Sequence, residues 1–137
     1  MKKKLNLIML IDDDEDDNYF HQLIINEADV THHLRIAVSG FEALEILANE
    51  TPSPDLIFLD INMPKMNGWE FLGEYEKLSF DLKAKNVIIM LTTSLNPDDE
   101  EKAKKFNRIN GFENKPLSQE MIKRIVKKHF SDYAAID

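Results

Sequence analysis

The sequence predicts an α/β protein: one domain, with a five-stranded parallel sheet doubly wound by helices. Three observations carry that prediction. Apolar runs, the mark of strands buried on both faces, occur in Leu56–Asp60 and Val87–Thr92, and Leu5–Ile11 is mostly apolar. Segments with apolar residues at helical spacing lie between them. Strand-like and helix-like segments alternate along the chain, five of each, an order that right-handed crossovers turn into a parallel sheet with helices on both faces.

The first strand, Leu5–Ile11, breaks directly into the acidic run Asp12–Asp17. Phe20, Leu23, Ile24 and Ala28 then predict a helix with these residues on its buried face. Leu34–Val38 reads as a short strand, and Ser39 with Glu42 three residues on forms a capping box for a helix through Asn49. Pro52 and Pro54 punctuate the approach to Leu56–Asp60, where four large apolar residues stop at a single carboxylate. Pro64 and Asn67-Gly68 mark a loop rather than a hairpin, because no alternating strand follows. Trp69, Leu72 and Tyr75 resume helical spacing, and Val87–Thr92 is the fourth strand. Asn96-Pro97 supplies an N-cap with proline at the first helical position, followed by Asp98, Asp99 and Glu100 at the positive end of the helix dipole. Ile109–Asn114 is a weak last strand ending at Lys115-Pro116. Ser118 caps a last helix that turns Met121, Ile122, Ile125 and Val126 inward and Lys123, Arg124, Lys127 and Lys128 outward.

Composition narrows the function. A chain of 137 residues, 43% hydrophobic and 31% charged, fits one globular domain over 1–137, with its core at about residues 5–130 and a short tail after Phe130. No apolar segment is long enough to cross a bilayer, so no membrane contact is expected. The basic start Met1–Lys4 is followed by neither a full apolar region nor a cleavage site, which predicts a cytoplasmic protein. Without cysteine there is no disulfide, thiolate site or thiol nucleophile. A net charge of −8 disfavours nucleic acid as a partner.

Polar groups collect at strand ends: Asp12 and Asp13 after the first, Asp60 after the third, Thr92 after the fourth and Lys115 after the fifth. In a parallel sheet these ends converge on one crevice. Carboxylates packed there repel by about 4 kcal/mol per pair at roughly 4 Å and an effective dielectric of about 20, which a cation relieves. Oxygen ligands alone suit Mg²⁺. A hard ion beside one Asp points to phosphoryl chemistry, with Asp60 attacking phosphorus, Lys115 holding the phosphoryl group and the Thr92 hydroxyl bonding another oxygen. Thr93 rivals Thr92, because a one-residue change of register exchanges their faces. A plainer account covers part of the acidic run: Asp16 and Asp17 favour the helix dipole, and Asp14 and Glu15 are solvated. An EF-hand loop lacks its required Gly and Glu. His21, His32, His33 and His129 form no ligand spacing and read as ordinary surface or helix residues.

Leu10-Ile-Asp-Asp13, Leu59-Asp-Ile-Asn-Met-Pro64 with Gly68, Leu91-Thr-Thr93 and Lys115-Pro116 together resemble the receiver domain of two-component response regulators, over about residues 5–130. The resemblance implies a flavodoxin-like (βα)5 fold with strand order 2-1-3-4-5. It implies that Asp60 accepts a phosphoryl group from a sensor histidine kinase or a histidine phosphotransfer protein. Mg²⁺ would be held by Asp13 directly, by Asp12 largely through water, by Asp60 and by the Asn62 backbone carbonyl. Thr92 would be the switch hydroxyl, Lys115 the phosphate-binding lysine, Lys115-Pro116 a cis peptide and Phe112 the switching aromatic. Output would be contact with an unidentified downstream protein through the face of the fourth helix, fifth strand and fifth helix.

The chain departs from its relatives in places. Phe112 stands where many carry Tyr, Asn86 stands where proline is usual, and Ser79–Asn86 predicts an extended loop. Asn62 and Ser94 occupy positions that tune hydrolysis in the family. The missing effector domain predicts a stand-alone receiver that catalyses only its own phosphotransfer and dephosphorylation. Two rival functions are a haloacid-dehalogenase-like Mg²⁺-dependent phosphohydrolase, which would need an acid at Asn62, and a pseudo-receiver that binds partners without phosphorylation.

Overall fold

Five parallel strands form one sheet in the order β2-β1-β3-β4-β5. The strands are β1 (Leu5–Ile11), β2 (Thr31–Ala37), β3 (Leu56–Asp60), β4 (Val87–Thr92) and β5 (Ile109–Asn114). The helices are α1 (Glu15–Ala28), α2 (Gly40–Asn49), α3 (Gly68–Tyr75), α4 (Pro97–Ala103) and α5 (Gln119–His129). The computed structural model describes residues 4–78, 86–93, 96–106 and 109–130. Most of the expected Ser79–Asn86 loop, Ser94 and the tail after Phe130 lie outside them.

The pleat of the central strands divides the core into two layers. Met9, Ile11, Ile57, Leu59, Ile88 and Met90 pack with residues of α2 and α3. Ile8, Leu10, Leu56, Phe58, Ile89 and Leu91 pack with Ile25 and Ala28 of α1 and with Ile122, Ile125 and Val126 of α5. Successive side chains point to opposite faces, so an unbroken apolar strand feeds both layers, and the runs read from the sequence are explained by burial on both sides.

Helix starts follow the expected chemistry, with detail the sequence did not give. Ser39, Asn96 and Ser118 each accept a backbone N–H from the first turn of their helix. Glu42 reaches back to the Val38 amide, one residue before the cap. The full capping box belongs instead to Asn67 and Glu70, which start α3.

Two expectations need correction. Strand β2 runs from Thr31 to Ala37 rather than over Leu34–Val38, because pairing with β1 begins at Leu5 opposite Thr31. As an edge strand it tolerates the exposed His32 and His33, which hide its start from a hydrophobicity pattern. In α1 the buried residues are Asn18, His21, Ile25 and Ala28, while Phe20 and Leu23 are 44% and 43% exposed. Burial of Asn18 turns the helix: its Nδ2 donates to the Asp12 carbonyl at 2.8 Å, which ties α1 to the end of β1. His21 is therefore a buried residue, not a surface one.

Asn86 also acquires a reason. Its side chain accepts from the Tyr75 hydroxyl at 2.6 Å and donates to the Pro54 carbonyl, joining α3 to the approaches of β3 and β4. Among the described residues no helix is long and apolar enough to cross a membrane.

Candidate functional site

The carboxyl ends of β1, β3 and β5 meet at one edge of the sheet. The Asp12 amide donates to Ala37 O at 3.1 Å, which holds the residue after β1 against β2. Asp14 caps α1 by accepting from the amides of Asp16 and Asp17, so the acidic run folds at once into the helix. Asp60, the last residue of β3, lies opposite Leu91, and Ile61 N donates to Leu91 O. Beyond β5, the Lys115 amide donates to Thr92 O at 2.8 Å, which places the lysine beside the end of β4. Lys115-Pro116 is cis, as the family motif implies, and so is Thr51-Pro52.

These ends enclose a cleft of about 230 Å³ whose lining includes Asp12, Asp13, Asp17, Asp60, Asn62 and Lys115. Lys115 Nζ lies 2.8 Å from Asp12 Oδ2, 2.8 Å from Asp17 Oδ2 and 3.2 Å from Asp60 Oδ1. Three acids from three elements thus surround one ammonium. Burial works against the charge on Lys115, but hydrogen bonds to Asp12 and Asp17 and the charge of Asp60 outweigh it, and its pKa is raised. Asp60 is 4% exposed. Its own burial, and then the charge of Asp12, push its pKa up to about 6, against the opposing pull of Lys115 and a backbone hydrogen bond from Asn62.

Asp12, Asp13 and Asp60 can each offer an oxygen within 4.8 Å of the others. An all-oxygen set that includes two buried acids and an exposed one fits a hard divalent cation that keeps part of its water shell. Asn62 lines the same cleft, next to the acid set.

The cleft therefore gathers Asp12, Asp13, Asp60, Asn62 and Lys115, all read from the sequence. Of the two threonines, Thr93 lines the cleft and is exposed, whereas Thr92 is 1% exposed. The pleat accounts for this: Thr92 continues the Ile88–Met90 side of β4, and Thr93 the Ile89–Leu91 side, which faces α1 and α5 as Asp60 does. Phe112 is half-buried, with its ring 6.1 Å from that of Trp69.

Three contributors were not read from the sequence. Asp17 was assigned to the helix dipole, yet it pairs with Lys115. Asn18 has no role in the sequence reading and His21 reads there as an ordinary surface or helix residue, yet both are buried in α1, and Asn18 Oδ1 and His21 Nδ1 have no hydrogen-bond partner among the described residues. Burial lowers the pKa of His21, and the charge of Lys115 lowers it further. The available signal was spacing: Asp17, Asn18 and His21 share one side of a helix whose apolar residues do not fill that stripe.

Comparison with known proteins agrees with this geometry. The family model described as response regulator receiver domain matches residues 8–127. Response regulator Rcp1 from Synechocystis sp. is 37% identical over 98 residues, covering 68% of this chain and 65% of that protein. Sensor histidine kinase CheAY from Helicobacter pylori is 32% identical over 129 residues, 89% of this chain but 15% of its own length. The chain thus spans less than two thirds of these relatives. A two-component response regulator from Cytophaga hutchinsonii superposes with a TM-score of 0.84 at 29% identity, covering 94% of this chain and 99% of that one. The Mn²⁺-bound form of response regulator Rcp1 gives a TM-score of 0.72 at 28% identity, covering 93% and 94%.

Proposed function

The chain belongs to the response regulator receiver domain family of two-component signalling, and from that premise we propose that Asp60 is its phosphoacceptor. The observation that carries the proposal is the placement of Asp60. It is a buried carboxylate at a strand end, 3.2 Å from a lysine and within reach of two further acids. The proposed donor is a phosphohistidine on a sensor histidine kinase or a histidine phosphotransfer protein.

In the transfer, an Asp60 carboxylate oxygen forms a bond to phosphorus as the phosphorus–nitrogen bond to the donor imidazole breaks. The electron pair leaves with the imidazole, which takes up a proton. Lys115 turns an N–H from the Asp60 carboxylate to a phosphoryl oxygen. Asp12, Asp13, Asp60 and the Asn62 carbonyl are the groups proposed to hold Mg²⁺, which when bound neutralises charge on the phosphoryl oxygens. Thr92, whose side chain continues the Ile88–Met90 side of β4 away from the cleft, is proposed to turn its hydroxyl toward the phosphoryl group, and Phe112 to turn inward in response, which biases a two-state surface toward a downstream protein.

On this proposal the chain is one receiver domain, acting in the cytoplasm and catalysing only its own phosphorylation and dephosphorylation. Asn62, where a haloacid-dehalogenase-like enzyme would need a second acid, supports the receiver reading over the phosphohydrolase. Presence of the acids and the lysine in one cleft supports phosphorylation over a phosphorylation-independent role.

Intact mass after incubation with acetyl phosphate and Mg²⁺ tests it. One added phosphoryl group that requires Mg²⁺ and vanishes in Asp60→Asn is the expected result. Uptake that survives Asp60→Asn would move the acceptor elsewhere.

A further inference from the structure

We propose that Asp17 is a donor-selecting residue of this cleft, holding the Lys115 ammonium half-neutralised so that free dianionic phosphodonors are disfavoured against less charged ones. The proposal deepens the phosphoacceptor reading and rests on it. Its basis is the geometry of one ion pair and the charge around it.

Lys115 has three N–H bonds and three acidic neighbours. Two contacts are short and equal, 2.8 Å to Asp12 and 2.8 Å to Asp17, while Asp60 stands at 3.2 Å. The ammonium therefore rests in a cradle made by the end of β1 and the first turn of α1. Two hydrogen bonds anchor the backbone of that cradle. Asp14 accepts from the Asp17 amide, and Asn18 Nδ2 donates to the Asp12 carbonyl, so Asp12 and Asp17 keep their spacing on either side of the lysine.

Asp17 differs from its two companions in exposure. Its side chain is 39% exposed, against 1% for Asp12 and 6% for Asp60. It is the acid on Lys115 that an approaching donor meets from solvent. The cleft lining holds one lysine against several carboxylates, so an ammonium paired with Asp17 offers an incoming anion only part of its attraction. The cost of this arrangement scales with the donor's charge. A dianion such as acetyl phosphate pays it twice over relative to a donor of single net charge.

The test uses the whole chain at saturating Mg²⁺ and neutral pH, with two small donors: acetyl phosphate, a dianion, and phosphoramidate, a net monoanion. Asp17→Asn keeps an oxygen acceptor for Lys115 and removes the charge. It is expected to raise the ratio of the acetyl phosphate rate to the phosphoramidate rate by about threefold at low salt, the size of one charge acting across several ångströms of wet cleft. The gain should shrink at high salt, and Asp17→Glu, which restores the charge, should return the wild-type ratio. A purely structural role would move both donors together and leave the ratio alone. An unchanged ratio in Asp17→Asn overturns the proposal while leaving Asp60 as acceptor. No uptake from either donor by the wild-type chain overturns the phosphoacceptor reading and this inference with it.

Discussion

The Lys115 ammonium lies 3.2 Å from the Asp60 carboxylate, farther than its 2.8 Å contact with Asp12. Asp60 is thus held beside a cation without being fully compensated by it. Burial and the Asp12 charge raise its pKa from 3.8 to about 6. A raised carboxyl pKa means that the folded chain binds this proton more tightly than the unfolded chain. The resulting stability is complete below the unfolded value and is lost as pH rises through about 6. Ionised Asp60 thus costs the fold on the order of 3 kcal/mol at neutral pH in the absence of divalent cations. Asp60→Asn should therefore be more stable than wild type at neutral pH, with the gap closing as pH falls toward the unfolded pKa. Urea midpoints of both proteins across that range check this, and a gap independent of pH would mean that Asp60 titrates normally.

Cation binding should relieve the same strain. Asp12, Asp13 and Asp60 offer oxygens within 4.8 Å of one another, and Asp13 is the exposed member. Mg²⁺ at ten times its dissociation constant should stabilise the fold by about 1.4 kcal/mol, reversibly with chelator. Asp13→Asn removes a ligand at an exposed position and should fold normally while losing most of the Mg²⁺-dependent shift in thermal melting. Retention of the full shift would place the cation elsewhere.

Gly68 is the position where the β3–α3 loop closes on the site. Its amide donates to Ile61 O at 2.8 Å, and a Cβ there would stand 2.8 Å from Asp60 O and 3.0 Å from Ile61 Cα. Those are backbone atoms, which cannot rotate away. Gly68→Ala should cost about 1–3 kcal/mol and weaken Mg²⁺ binding as well, because the displaced loop carries Asn62. Calorimetry of folding and of Mg²⁺ binding would show both losses, and wild-type values in both would mean that the loop has room to spare.

The sequence makes the sheet legible because β1, β3 and β4 are apolar on both faces, and burial on both faces needs no partner to be recognised. Asp12 and Asp60 are legible for a related reason, since a charge ending such a strand has one edge to go to, whereas Lys115 ends the weak strand β5 and is marked by the Lys115-Pro116 motif instead. What is illegible depends on contacts between elements. The start of β2 is set by pairing with β1, not by its own histidines. The inward face of α1 carries Ile25 and Ala28 into the core and Asn18 onto the Asp12 carbonyl, and leaves Phe20 and Leu23 part-exposed. Asp17 hides among neighbours of identical type, and only the position of Lys115 distinguishes it.

Trp69 offers a direct view of the proposed switch. It is the chain's one tryptophan, so intrinsic emission reports its surroundings alone. The indole is 8% exposed and donates to Asp99 Oδ1 at 3.3 Å, fixing α3 to α4. Its ring lies 6.1 Å from Phe112 on β5 and 6.0 Å from Phe106. An inward turn of Phe112 changes the ring contact beside the indole. Acetyl phosphate with Mg²⁺ should change the emission in proportion to the phosphorylated fraction measured by mass, and should change nothing in Asp60→Asn. In Phe112→Ala the phosphorylated fraction should be retained while the emission change shrinks. Constant emission at full phosphorylation would show that Phe112 and Trp69 keep their resting contact, and the conformational response would then have to bypass β5.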